Sequence, residues 1–129
     1  MAFILVPNEG EDIQINAWNW RPTLELLFAA GVITEDDHVR MGAQFLGGKV
    51  DEAKALLIGE VVKRKLLTMN RGERMLADLS VSNEPKQPAV FSTDMKSDDI
   101  DANELYSAMY EWLETFARFC QTSKGFEVR

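Results

Sequence analysis

Leu105, Met109, Trp112, Phe116 and Phe119 step along this chain by 4, 3, 4 and 3 residues. That is the spacing of one face of an α-helix, and Glu104, Ser107, Glu111, Glu114 and Arg118 mark the opposite face. The pattern predicts a long helix over 102–122, capped by Asp101 and ended by Gly125, as the central packing element. A stripe of this size has to be covered. It serves either as the core of one chain or as the seam of a homodimer built on Trp112.

The rest of the chain supplies partners for that helix. Residues 3–6 are an apolar run stopped by Pro7, and Ile13-Gln14-Ile15 alternates beyond a polar turn. The two runs predict a hairpin of 3–6 with 12–16, to which Phe126-Glu127-Val128 adds a terminal strand. Pro22 suits the first position of a helix, where a missing N–H costs nothing. Leu24, Leu27 and Phe28 follow at helical spacing, and Gly31 stops the run. Thr34 with Asp37 resembles a capping pair opening a second helix, which carries Val39, Met41 and Phe45 and fails at Gly47-Gly48. Asp51 caps a third, with Leu56, Leu57, Val61, Val62 and Leu66 on one buried face and Glu60, Lys63 and Arg64 outside. Met75, Leu76 and Leu79 read as a short helix or a strand. Pro85 and Pro88 mark an exposed loop, and 80–99 is the one candidate hinge.

No repeat or composition break divides the chain, and 129 residues suffice for one real core, so residues 1–129 are read as a single domain. The expected fold class is α+β, mainly α: about four helices with a small antiparallel sheet from the terminal segments.

Charge narrows the partners. Fourteen basic against twenty-one acidic residues leave a formal net charge of −7. Phosphate neutralisation needs a basic face, so nucleic acid is not an expected partner, and neither is an anionic membrane surface. The balance fits a basic protein partner, or simply solubility. A lone cysteine, Cys120, cannot form an internal disulfide, and the apolar run at residues 3–6 is short and lacks a basic lead, so the cytoplasm is the expected location.

Catalytic signals are sparse. His38 is the single histidine, which removes two-histidine metal sites. Its neighbours Glu35, Asp36 and Asp37 are consecutive on a helix, point in different directions and do not converge on one ion. Cys120 is expected in the core, because cysteine is among the most buried residue types. The run Asp98-Asp99-Ile100-Asp101 lacks the glycine and spacing of a calcium loop. No catalytic constellation, metal site or cofactor is implied, and the reading leans away from an enzyme.

The segment Asn16-Ala17-Trp18-Asn19-Trp20-Arg21-Pro22 is different. Tryptophan and arginine are the residues most enriched at interface hot spots. Read as extended chain, the segment points Trp18 and Trp20 to one face and Asn19 and Arg21 to the other. Trp18 and Trp20 are then either core or a presented surface, Asn16 or Asn19 caps the helix that follows, and Arg21 is within helical reach of Glu25.

This segment, Met41-Gly42 with Gly47-Gly48 ahead of Asp51-Glu52-Ala53, and Phe116-Ala117-Arg118-Phe119-Cys120 through Ser123 to Gly125-Phe126-Glu127-Val128 resemble a family of small bacterial proteins. That family is marked by an Asn-Ala-Trp-Asn-Trp-Arg-Pro approach to its first helix and a terminal Phe-Cys-x-x-Ser-x-Gly-Phe-Glu-Val signature. The resemblance spans most of the chain, least at residues 70–99, and implies no activity. In size and charge the chain is also similar to immunity proteins of bacterial toxin systems. The leading expectation is a non-enzymatic interaction protein, of the immunity or accessory kind, that binds a basic partner through an acidic face at 94–104 including Asp98, Asp99 and Asp101. The competing expectation is a small-ligand-binding domain or small enzyme with a pocket at Trp18, Trp20 and Arg21.

Overall fold

The computed structural model describes residues 2–43, 47–83 and 107–129. The elements in chain order are β1 (Ala2–Pro7), β2 (Ile13–Asn16), α1 (Ala17–Ala29), α2 (Glu35–Met41), β3 (Gly48–Val50), α3 (Glu52–Leu66), β4 (Arg74–Leu76), β5 (Val81–Ser82), β6 (Ser107–Met109), α4 (Tyr110–Thr122) and β7 (Phe126–Val128). The fold is α+β, with four helices and two small antiparallel sheets among the described residues. One sheet has the order β2-β1-β7-β3 and the other β5-β4-β6.

The expected hairpin is present, with Phe3 opposite Ile15 and Leu5 opposite Ile13. The terminal strand joins it as expected, Val128 pairing with Leu5. On its far side β7 pairs with β3, Val50 opposite Phe126. Strand β3 departs from the sequence reading, in which Gly47-Gly48 only ended a helix. Gly48 lies where a Cβ would stand 2.6 Å from the Met41 side chain, so glycine lets β3 run tight against the end of α2.

Helix α1 begins where the Asn16 cap sets it and not at Pro22, the other start the sequence offered. The Asn16 side chain accepts from the backbone N–H of Asn19, which sets the first turn at Ala17 and leaves Pro22 inside the helix. Residues 17–21 are therefore helical rather than extended, and Trp18 and Trp20, two residues apart, point to opposite sides. A second correction concerns the C-terminal helix expected over 102–122. Residues 107–109 form β6, with Arg74 opposite Met109, and α4 starts at Tyr110. Asp101, expected as its cap, lies outside the described residues. Met109, expected in the buried stripe, is 48% exposed, whereas Trp112, Phe116 and Phe119 are buried.

The core is aromatic at its centre. Trp20 has no exposed surface, and its ring centroid lies 5.5 Å from that of Phe116 and 6.3 Å from that of Trp112, both edge-on. Phe126 packs on Phe116 and Phe119, tying β7 to α4. The Trp112 face is thus spent inside the chain, with its indole N–H donated to Thr23 Oγ1 at 2.9 Å, and it is not a seam for a second copy.

Helix α3 lies along α4 and turns Ala55, Ile58, Gly59 and Val62 inward. Leu56 and Leu57, expected on that face, are exposed. The small residues decide the phase: a Cβ on Gly59 would stand 3.3 Å from Cys120 Cβ, so the two helices approach closely where α3 has no side chain.

Helix α2 carries the full capping box, Thr34 and Asp37 each accepting from the other's backbone N–H at 3.1 Å. Lys54 Nζ on α3 donates to Asp37 Oδ2 at 2.7 Å. That bond holds the Asp37 carboxyl below the usual carboxylate range. A depressed carboxylate pKa adds stability above the unfolded value, and the gain is lost as pH falls through the folded one. Asp37→Asn is therefore expected to lower stability at neutral pH by no more than about 1 kcal/mol and to flatten its fall below about pH 4. Urea midpoints measured against pH check this; parallel curves for variant and wild type would refute it.

Candidate functional site

Two clefts flank helix α1, and they divide the residues the sequence singled out. The larger has a volume of about 640 Å³ and is lined by Asn16, Trp18, Asn19, Gly72, Glu73, Arg74, Ser107, Met109 and Glu111. It lies between the start of α1 and the β4–β6 pair. The smaller, about 360 Å³, is lined by Arg21, Leu24, Glu25, His38, Val39, Gly42 and Ala77.

The larger cleft is built around one asparagine. Asn19 Nδ2 donates to Asn16 Oδ1 at 3.0 Å, while Asn19 Oδ1 accepts the Met109 backbone N–H at 2.9 Å. One amide thereby fixes the first turn of α1 against the end of β6. Behind it, Thr23 Oγ1 donates to the Asn19 carbonyl at 2.8 Å and accepts from Trp112 Nε1, so the wall is anchored in the core. Across the cleft Arg74 Nη1 donates to Ser107 Oγ at 3.0 Å, pinning the guanidinium along β4 and β6. Glu73 is oriented by its own turn: Oε1 accepts the Asn70 N–H, and its backbone carbonyl accepts the Tyr110 N–H at 3.1 Å.

Onto this polar frame Trp18 and Met109 present large apolar surfaces, 36% and 48% exposed. Both are soft, polarisable groups suited to a flat or cationic ligand. Among the described residues the lining holds two carboxylates, Glu73 and Glu111, and one guanidinium, Arg74, a negative formal charge. Glu73, Arg74, Ser107 and Met109 were not legible as site residues. Arg74, Ser107 and Met109 come from strands only three residues long and Glu73 from the position just before one of them, all more than fifty positions from Trp18.

In the smaller cleft His38 Nε2 lies 2.8 Å from Glu25 Oε1, with the Phe28 ring edge-on to the imidazole at 5.1 Å. Arg21 lines this cleft and not the larger one, although it stands only three residues, less than one helical turn, beyond Trp18. The pocket expected from Trp18, Trp20 and Arg21 together is thus not one pocket. Trp18 enters one cleft and Arg21 the other. Trp20 enters neither: it is fully buried and donates its indole N–H to the Met41 carbonyl at 2.8 Å. The expected acidic face at Asp98, Asp99 and Asp101 lies outside the described residues.

Cys120 is in the core, where burial pushes its thiol well above the ordinary pKa and keeps it protonated. No group of three or more His, Cys, Asp or Glu side chains suited to a metal ion is formed among the described residues. No helix among them is long and apolar enough to cross a membrane. Comparisons with protein-family models, with curated proteins and with solved structures find no match to this chain.

Proposed function

We propose that this chain is a cytoplasmic, non-enzymatic interaction protein, of the immunity or accessory kind, and that its Trp18 cleft seats a cationic side chain of a basic protein partner. The observation that carries the reading is the exposed Trp18 ring beside Glu73 and Glu111 in the 640 Å³ cleft. Tryptophan is the strongest aromatic partner for a cation, and nearby carboxylates add Coulomb attraction. The net charge of −7 draws a basic partner from a distance. A second reading rests on the size of the cleft, which lies within the range of small-molecule sites: a small planar ligand stacks on Trp18.

Titration with a short oligoarginine peptide, followed by intrinsic fluorescence, tests the proposal. Saturable binding is expected, weakened about tenfold by Trp18→Ala, severalfold by Glu73→Gln with Glu111→Gln, and progressively by added salt. An oligoglutamate peptide is expected to give no change. Equal binding by wild type and Trp18→Ala would remove the cleft from the reading. A response to small planar metabolites alone would move it to the second one.

A further inference from the structure

The outward face of α3 mixes leucines with charges of both signs. Ala53, Leu56, Leu57, Glu60, Lys63, Arg64 and Leu67 are all exposed. At about 100° per residue they fall within a stripe about 120° wide centred on Glu60, clear of the face of Ala55, Ile58, Gly59 and Val62 that is turned to α4. Three of the seven are leucines, exposed by 46%, 59% and 87% at positions 56, 57 and 67. Leu56 and Leu57 form an exposed pair in the first half of α3, and Leu67 caps its far end beyond the charged residues. None of the salt bridges found among the described residues uses Glu60, Lys63 or Arg64.

We infer that this face docks a second copy of the same chain, the two α3 helices running antiparallel about a two-fold axis. The order of residue types along the stripe is the argument. It runs leucine pair, glutamate, lysine-arginine pair, leucine. A two-fold axis passing between residues 61 and 62 sets Leu56 opposite the partner's Leu67 and Glu60 opposite the partner's Lys63. A slip of half a residue sets Leu57 against the partner's Leu67 and Glu60 against the partner's Arg64. Every such contact occurs twice, as an isologous interface requires. The stripe is therefore complementary to itself in both apolar pattern and charge. Two acid–base pairs lie at the centre and a leucine contact at each end. A parallel arrangement sets Glu60 against the partner's Glu60 and Lys63 against the partner's Lys63, which like-charge repulsion disfavours. One helix pair is a small interface beside the roughly 1,200–2,000 Å² of standard stable complexes, so the dimer is concentration-dependent and exchanging.

Sedimentation velocity from micromolar to millimolar protein tests the inference. The weight-average mass is expected to rise from the 14.6 kDa of one chain towards twice that value. Leu57→Glu is expected to raise the dissociation constant at least tenfold, and Glu60→Lys severalfold. Glu60→Lys combined with Lys63→Glu and Arg64→Glu reverses every charge and is expected to restore the wild-type constant. These positions face solvent in the single chain, so far-UV circular dichroism should be unchanged in all variants. A constant single-chain mass across the range would overturn the inference. So would a dimer indifferent to Leu57→Glu, or a charge-reversed variant no better than Glu60→Lys. Binding of oligoarginine at the Trp18 cleft is read separately and stands or falls by itself.

Discussion

Trp20→Ala is expected to remove about 3–5 kcal/mol of folding stability, a large part of the 5–15 kcal/mol typical of a whole domain. Two losses coincide at this side chain. The ring touches Phe3 from the hairpin and Trp112 and Phe116 from α4, so its removal opens a cavity between the sheet and two helices. The surroundings cannot close it, because Phe116 is held by Phe126 and Trp112 by its hydrogen bond to Thr23. The Met41 carbonyl, at the end of α2, loses its buried donor as well. Trp20→Phe separates these effects. It keeps a six-membered ring but removes the N–H together with part of the indole, leaving a smaller cavity than alanine does, and is expected to cost about 1–3 kcal/mol. Urea unfolding followed by far-UV circular dichroism gives both values. A Trp20→Ala midpoint close to that of Trp20→Phe would show that the cavity is not the dominant loss.

How this tryptophan comes to lie in the core shows what the sequence could convey. Thr34 with Asp37, and Asp51, were legible as caps because capping is local: a short polar side chain and a backbone N–H three residues on suffice. The first hairpin and the strand at 126–128 were legible because alternation and turn residues are local too. At residues 16–22 two local signals competed. Pro22 marks a helix start, but so does Asn16, and Asn16 prevails because its side chain bonds Asn19 while Asn19 in turn holds β6. That second bond joins residues ninety positions apart and leaves no trace in the local pattern. Strands β3 and β6 were missed for the same reason, since three residues become a strand only when a distant partner supplies the ladder. The buried face of α3 was assigned from hydrophobicity, whereas Gly59 and Ala55 set it by letting α4 approach. For the candidate site, Trp18 was legible as a residue to watch. The groups opposite it, brought by β4, β6 and the start of α4, were not.

Gly125→Ala carries the other large effect, expected at about 2–4 kcal/mol. Gly125 stands between α4 and β7 with φ of +102°, a region alanine adopts only under strain. Space is as restrictive as torsion. An added Cβ would lie 2.7 Å from the Val50 carbonyl oxygen and 2.8 Å from Asn8 Nδ2. Neither atom is able to retreat cheaply. Val50 is in the ladder of β3 with β7, and Asn8 Nδ2 donates to the Lys124 carbonyl at 2.8 Å while its backbone N–H donates to the Gly125 carbonyl at 2.9 Å. Relief of the clash therefore pulls β7 away from β1 or β3, and with it the Phe126 ring that packs on Phe116 and Phe119. Gly10→Ala is the control. Gly10 has nearly the same torsion, φ of +105°, but nothing within 4 Å of its Cβ position. It should lose only the conformational part, about 1 kcal/mol. The difference between the two urea midpoints then measures the close approach at the end of α4. Equal losses at Gly125 and Gly10 would mean that β7 is not held by that contact, and that the central place of this strand in the sheet rests on its ladder hydrogen bonds alone.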